Sequence, residues 1–298
     1  MGNIDLHIHS SFSEDADLPV DEIFALASRA SLAAISITDH DSLQSIPAAE
    51  SVGEQFALEY VPGVEITTVF EEDGSQQHIL GYYIDEKNEQ LKETIEIIKN
   101  YRLGMARKRI EALKSIGFAL DDERIWKMIG DRPPTATSIM VEVFKNEKNR
   151  SDARLTEYIQ GDKSRNRLSQ FYRGFLSEGK EAYVPFESIN AQKAIEVIKG
   201  SGGVSVLAHP KFLKRRDLLP HFIDYGIDGI EAITTYHDES DVRFFIEFAR
   251  ANGLLITAGS DFHGPTSKPQ VTIGGVSGNS YEYFSALKSY YEGTSENY

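Results

Sequence analysis

The chain contains no cysteine. That removes a disulfide framework, a thiolate metal site and a thiol nucleophile from consideration. No run of eighteen or more apolar residues occurs, so no membrane-spanning helix is expected. The first residues, Met-Gly-Asn-Ile-Asp, carry neither the basic region nor the apolar core of a secretory signal, and a cytoplasmic location is the expectation. Neither a phosphate loop of the Walker type nor a GxGxxG turn is present, which excludes the two familiar glycine-rich cradles for nucleotide phosphates. Internal repeats, low-complexity stretches and long linkers are absent as well. Positive charge is scarce: 31 Lys and Arg stand against 46 Asp and Glu, a formal net charge of −15. A surface this acidic argues against long nucleic acid held by its backbone charge.

The 298 residues, 41% of them hydrophobic, suffice for one large α/β domain or one domain carrying an insertion. The charge is unevenly spread. The middle section, 86–189, is net basic by a few charges, and the acidic excess lies outside it. A basic section of this kind suits a small anionic substrate, although most of its charges read as a solvated helical face.

Strand-like and helical stretches alternate. NIDLHIH at 3–9 reads as a first strand, and VDEIFALASRAS as a helix with Ile23, Phe24, Ala27 and Ala30 at helical spacing. AAISIT, EYVPGVEITT, QHILGYYI, GGVSVLAHP, DGIEAITT and LLITAGSDFHG supply six further strands, and a second helix lies near IPAAESVGEQFA. The order predicts a parallel sheet, and seven such units suit a barrel. Between the fourth and fifth strands the text turns helical. A long amphipathic helix carries Leu91, Ile95, Ile98, Met105, Ile110 and Leu113 near one face, with Gly104 inside it. We read 86–189 as a helical insertion between 1–85 and 190–298.

Along DLHIHS, Ile4, Leu6 and Ile8 share one face of the strand, and Asp5, His7 and His9 the other. The two imidazoles are then about 7 Å apart, near enough to converge on one ion. Glu14 and Asp15 follow in the next loop. One such pair of histidines is a weak signal, but the chain repeats the pattern. His40 closes the second strand, His209 the fifth and His263 the last, with Asp261 two residues before it. His78 differs, because it begins the fourth strand. Glu65 sits within the third. Catalytic groups gather at the C-terminal ends of strands in α/β barrels, so residues scattered over the chain would meet at one mouth. His/Asp/Glu ligands suit Zn, Mn or Fe. His221 reads as a helix-surface residue, and His237, after the sixth strand, as a weaker candidate at the mouth.

The segments DLHIHS, ITDHDS, PGVEIT, HILGYYI, VLAHP and GSDFHG, in this order, resemble the motifs of the PHP (polymerase and histidinol phosphatase) family over residues 3–85 and 190–265. The insertion, with EAYVPF at its exit, is similar to the helical insert of stand-alone PHP phosphoesterases that act on nucleotides. The resemblance implies a distorted (β/α)7 barrel and three divalent ions. His7, His9, Glu65 and Asp261 would hold the first ion. Asp15, preferred over Glu14, would hold the second with His40 and His263. Glu65, as a bridge, would hold the third with His78 and His209. Glu65, Asp261 and His209 are the catalytic candidates. Three carboxylates among neutral imidazoles give about −3, and three divalent ions would leave about +3, a site that attracts phosphate. The activity implied is hydrolysis of phosphate esters of nucleotides or short oligonucleotides by a metal-activated hydroxide. The alternatives are a phosphatase of another small metabolite and, further off, a metal-binding regulatory protein. The chain departs from the family pattern at DRPPTAT, where Arg132 and Pro133 match but a histidine is missing. Arg132 is the first candidate for a phosphate fork. Lys163, Arg165 and His237 are further substrate-binding candidates, and Phe171 and Tyr172 read as core packing before base stacking.

Overall fold

A computed structural model describes residues 2–130 and 132–295. Seven strands form one sheet in sequential order. They are β1 Asn3–Ile8, β2 Leu32–Ile37, β3 Glu59–Phe70, β4 Ser75–Tyr82, β5 Val204–Leu207, β6 Gly229–Ile233 and β7 Leu255–Ala258. The helices are α1 Val20–Arg29, α2 Ser45–Gly53, α3 Glu89–Ser115, α4 Asp122–Ile129, α5 Ala136–Lys145, α6 Thr156–Ile159, α7 Arg167–Phe171, α8 Ala191–Gly200, α9 Leu219–Asp224, α10 Glu239–Ala251 and α11 Tyr281–Ser295. Two compact units result, Met1–Ile98 with Ile189–Tyr298, and Lys99–Ser188.

The expected all-parallel sheet is corrected at its centre. β3 pairs antiparallel with β4, and β4 antiparallel with β5, while the remaining neighbours are parallel. The cause is local. Only the short turn Glu71–Gly74 joins β3 to β4, too few residues for the crossover that a parallel pair requires. Gly74, with φ +67°, supplies the left-handed residue of that turn. Reversal of β4 also accounts for His78: the start of an antiparallel strand lies at the same end of the sheet as the ends of its parallel neighbours.

The sheet curls back on itself. Asp261 N donates to His7 O (2.9 Å) and His9 N to Phe262 O (2.8 Å), joining the end of β1 to the chain that follows β7. The result is a distorted seven-stranded barrel. β3 serves both halves of it: residues 59–62 pair with β2 and residues 63–70 with β4. Gly63 marks the changeover, where a Cβ would stand 2.5 Å from Ser36 Oγ.

Both faces of β1 are buried, the apolar Ile4, Leu6 and Ile8 and equally Asp5 and His7. Burying Asp5 and His7 is tolerable only because each is hydrogen-bonded, as described below. On the outer side Ile23, Phe24 and Ala27 of α1 pack with Ile35, Ile37 and Ala49. Ala30, expected on that face, is the exposed cap after Arg29.

Gly104 does not interrupt α3, which runs through 27 residues. Leu91, Ile95 and Ile98 belong to the core of the first unit. Ile110 and Leu113 belong to the core of the second, with Phe118, Ile139, Val143 and Phe171. In that unit Asn149 is buried and its side chain is engaged on both sides: it accepts from Ala119 N (2.8 Å) and donates to the carbonyls of Ala119 and Val143. No described helix is long and apolar enough to cross a membrane.

Candidate metal centre

Glu65 lies at the middle of the mouth. Its Oε2 is 3.1 Å from His7 Nε2, 3.1 Å from His9 Nε2 and 3.0 Å from His40 Nδ1. Its Oε1 is 2.8 Å from His78 Nδ1 and 3.0 Å from His209 Nε2. Asp261 Oδ1 stands 3.4 Å from His7 Nε2 and 3.1 Å from His9 Nε2. Asp15 Oδ2 is 3.4 Å from His263 Nε2 and 4.0 Å from His40 Nε2. The nine expected ligands thus converge, and they come from four strand ends (β1, β2, β5 and β7), the body of β3, the start of β4 and the β1–α1 loop.

These atoms are poorly served by one another. His7 Nε2, His9 Nε2, His40 Nδ1, His263 Nε2 and Glu65 Oε2 are sealed from solvent and make no hydrogen bond. Buried polar atoms without partners are costly. Clustered here, they have the chemistry of a ligand set awaiting cations. Three groups, His7–His9–Glu65–Asp261, His9–His40–His263 and His40–Glu65–His78, each have donor atoms within 4.8 Å of one another. Two atoms bound to one ion at ~2.1 Å in a tetrahedron stand about 3.4 Å apart, which matches the separations above. The residues fit divalent metal.

A second layer of side chains aims the first. His7 Nδ1 is 2.9 Å from Glu231 Oε1, and Glu231 Oε2 accepts His209 N at 2.8 Å. A carboxylate can only accept, so His7 carries its hydrogen on Nδ1 and turns Nε2 inward. Ser13 Oγ donates its single hydrogen to Asp39 Oδ1 (2.9 Å), so it accepts from His9 Nδ1 at 3.0 Å, and His9 Nε2 is also turned inward. Asp39 is pinned in turn by Ser10 N and Ser10 Oγ, both at 2.7 Å. His263 donates Nδ1 to Asp261 O at 2.9 Å. Asp5 lies beneath the site, accepting from Ser260 N, Ser260 Oγ and Gly274 N. Burial pushes its carboxyl up to about 6 against those donors.

Strain accompanies this order. Asp41, His209 and Asp261 have φ of +48°, +27° and +56°. Left-handed backbone at such residues costs on the order of 1–3 kcal/mol each and persists where the surroundings enforce it. Gly259 permits the close packing of β7 on β1: a Cβ there would lie 2.3 Å from His7 Cβ and 2.9 Å from Glu231 Oε1.

Burial alone would raise the Glu65 carboxyl, but His7, His40 and His78 outweigh it and hold the group well below the ordinary carboxylate range. Burial alone would lower His9, but Asp261 and Glu65 raise it to about 9. Without cations His7 and His9 hold protons, whereas burial pushes His40 and His263 below the ordinary imidazole range.

Above these residues opens a cavity of about 340 Å³, lined by Asp15, His40, His78, His209, Asp261 and His263 together with Gln76, Phe212, Tyr236 and Lys268. Phe212 is 52% exposed. Of the other expected contacts, His237 donates Nδ1 to Ala232 O (2.9 Å), lies against Phe245 and lines a separate cavity beside α10. Arg132, Lys163 and Arg165 belong to the Lys99–Ser188 unit. Arg132 and Arg165 are exposed there, and Lys163 pairs with Glu157 at 2.7 Å. Phe171 is core, against Phe118, Phe144, Tyr158 and Phe175, and Tyr172 is 38% exposed. His221 on α9 is partly exposed, 3.3 Å from Glu72. Sequence reasoning missed Glu231, Asp5, Asp39, Tyr236 and Lys268. For Glu231 a signal existed, a lone acid in the otherwise apolar strand GIEAI.

The phosphoribosyl 1,2-cyclic phosphate 1,2-diphosphodiesterase of Eggerthella lenta is 26% identical over 260 residues, 87% of this chain and 94% of that protein. The 3',5'-nucleoside bisphosphate phosphatase of Chromobacterium violaceum is 28% identical over 272 residues, 89% of this chain and 88% of that one. A solved structure of a C. violaceum amidohydrolase, with bound sulfate and no metal, aligns with TM-score 0.72 and 28% identity, covering 92% of this chain and 90% of that one. The PHP domain matches residues 5–155. With half of its length matched to that domain and its candidate ligand side chains gathered at the mouth of a seven-stranded barrel, the chain belongs to the PHP domain family.

Proposed function

We propose that the protein is a metal-dependent hydrolase of phosphate esters of nucleotides or short oligonucleotides. One observation carries this reading: a single buried carboxylate, Glu65, faces five imidazoles within 3.1 Å, an arrangement that calls for more than one cation. The two named relatives act, by their names, on a phosphoribosyl cyclic phosphate and a nucleoside bisphosphate.

The reading takes three divalent ions of the Zn, Mn or Fe type. His7, His9, Glu65 and Asp261 hold the first, Asp15, His40 and His263 the second, and Glu65, His78 and His209 the third. Such ions supply an acidified water as nucleophile and neutralise charge on phosphoryl oxygens. The chain's own part is to present neutral imidazole lone pairs, fixed by Glu231, Ser13 and the Asp261 carbonyl, and to keep Glu65 ionised. Phe212 and Tyr236 form an aromatic wall of the cavity beside His209. In this reading the helical insertion, 86–189, selects the substrate, with Arg132 as an anion contact.

The test is a panel of nucleotides, short RNAs and other phosphorylated metabolites incubated with protein loaded with Mn, Zn or Fe. Phosphate release from nucleotide esters, abolished by a chelator, is expected. No release from any ester with any metal would overturn the reading. Preference for a non-nucleotide ester would overturn its substrate class. On the preferred ester, Arg132→Ala is expected to cost about tenfold to a hundredfold in kcat/KM, the worth of one charge-assisted contact, at unchanged metal content.

A further inference from the structure

Lys268 lies on the loop that follows β7, its amide bonded to Gly264 O at 3.0 Å. The loop is anchored from across the mouth. Asp17 accepts from Thr266 N (2.7 Å), Ser267 N (2.9 Å) and Ser267 Oγ (2.8 Å). Lys268 Nζ is thereby brought 2.6 Å from Asp261 Oδ2 and 2.7 Å from Tyr236 Oη, and the Tyr236 hydroxyl also donates to Asp261 Oδ2. Asp261 is divided between two duties: Oδ1 faces His7 and His9, and Oδ2 is taken by Tyr236 and Lys268.

For metal binding alone this is a poor arrangement. An ammonium in contact with a ligand carboxylate repels the cations that the carboxylate is there to hold. Its placement makes sense if an anion joins them. Lys268 is the one lysine or arginine among the described residues lining the cavity above the ligands. Its side chain keeps 25% of its surface exposed. An ammonium has three N–H donors. Asp261 and Tyr236 take two, and the third remains for an oxygen in the cavity.

We propose that Lys268 binds a non-bridging oxygen of the substrate's phosphate, with Tyr236 and the Asp17-anchored loop as its positioning residues. The proposal rests on the phosphoesterase reading above and names a residue of the barrel unit for its anion contact.

The experiment compares metal-loaded wild type, Lys268→Met and Lys268→Arg in three measurements: kcat and KM on a nucleotide ester, binding of inorganic phosphate by calorimetry, and metal affinity by chelator competition. Lys268→Met is expected to raise KM and weaken phosphate binding about tenfold or more, the worth of a charge-assisted hydrogen bond. Its metal affinity is expected to be equal or tighter, since a repelling charge is gone. Lys268→Arg is expected to recover most of the phosphate binding. Undiminished phosphate binding in Lys268→Met overturns the proposal. So does a loss of metal in step with the loss of activity, which would make Lys268 only a support for Asp261. If wild type hydrolyses no ester, the phosphoesterase reading fails, while phosphate binding to the loaded protein still judges Lys268.

Discussion

Glu231→Gln tests how the second layer governs the first. The substitution keeps the shape of the side chain and removes its charge. In the wild type both carboxylate oxygens accept, one from His7 Nδ1 at 2.9 Å and one from His209 N at 2.8 Å. Glutamine offers one oxygen and one NH2 group. If the oxygen serves the His209 amide, the NH2 group faces His7 Nδ1 and forces the imidazole hydrogen onto Nε2, where the metal lone pair belongs. If the oxygen serves His7, the NH2 group opposes the fixed N–H of His209, a residue already strained at φ +27°. Either way one hydrogen bond to a charged acceptor is lost at a site that is fully buried. Such a bond is worth about 1.5–3 kcal/mol, which converts to roughly a ten- to hundredfold loss of metal affinity. Chelator competition measures it, and a thermal melt of the metal-free variant shows that the barrel still forms. A folded Glu231→Gln protein with metal affinity within twofold of wild type would refute the reasoning.

Three further outcomes are expected. Glu65→Gln removes charge from a group shared by two ligand sets, so elemental analysis should find more than one ion lost per chain; loss of a single ion would show that Glu65 does not bridge. Metal loading at pH 7–8 should release protons, because His9 is held at about 9 in the metal-free protein and must be neutral to ligate; binding heats independent of the buffer's ionisation enthalpy would contradict this. Asp17 sits below its ordinary value of 3.8: burial alone would raise it, but the hydrogen bonds from Ser267 and Thr266 prevail. A depressed carboxyl stabilises above the unfolded value and loses that contribution as pH falls through the folded one. Asp17→Asn should therefore cost about 1 kcal/mol at pH 7, with the gap to wild type narrowing as pH falls below about 4; a gap that does not narrow at all on acidification would exclude the ionic origin.

The convergence of these side chains was legible because most of them fall where a strand pattern ends. His40, His209 and His263 each follow an apolar run, and His7 and His9 alternate along one. His78 looked anomalous only because sequence periodicity carries no strand direction; the short turn Glu71–Gly74 was the clue that β4 runs backwards. The supporting residues were not legible in the same way. Glu231 meets His7 across 224 residues, and nothing in the local text links an acid in β6 to an imidazole in β1. Lys268 and Tyr236 belong to loops without periodicity. Tyr236 meets Asp261 because β6 and β7 are parallel neighbours, and Lys268 because its loop folds back seven residues further on. Alternation along β1 identified its two faces correctly but not their burial, because a strand in a closed sheet has no solvent side.

The seam of the barrel has a consequence for how the protein comes apart. At the mouth, β1 and the chain after β7 are joined by two backbone hydrogen bonds, Asp261 N to His7 O and His9 N to Phe262 O. His7 and His9 lie on one side of this join, Asp261 and His263 on the other. An ion held by both sides would be a clasp between the two ends of the barrel sequence, fastening residues some 250 positions apart across this join. Its grip would deepen with the concentration of free metal, and the protected amides of Asp261 and His9 would be the first to exchange with solvent when it opens.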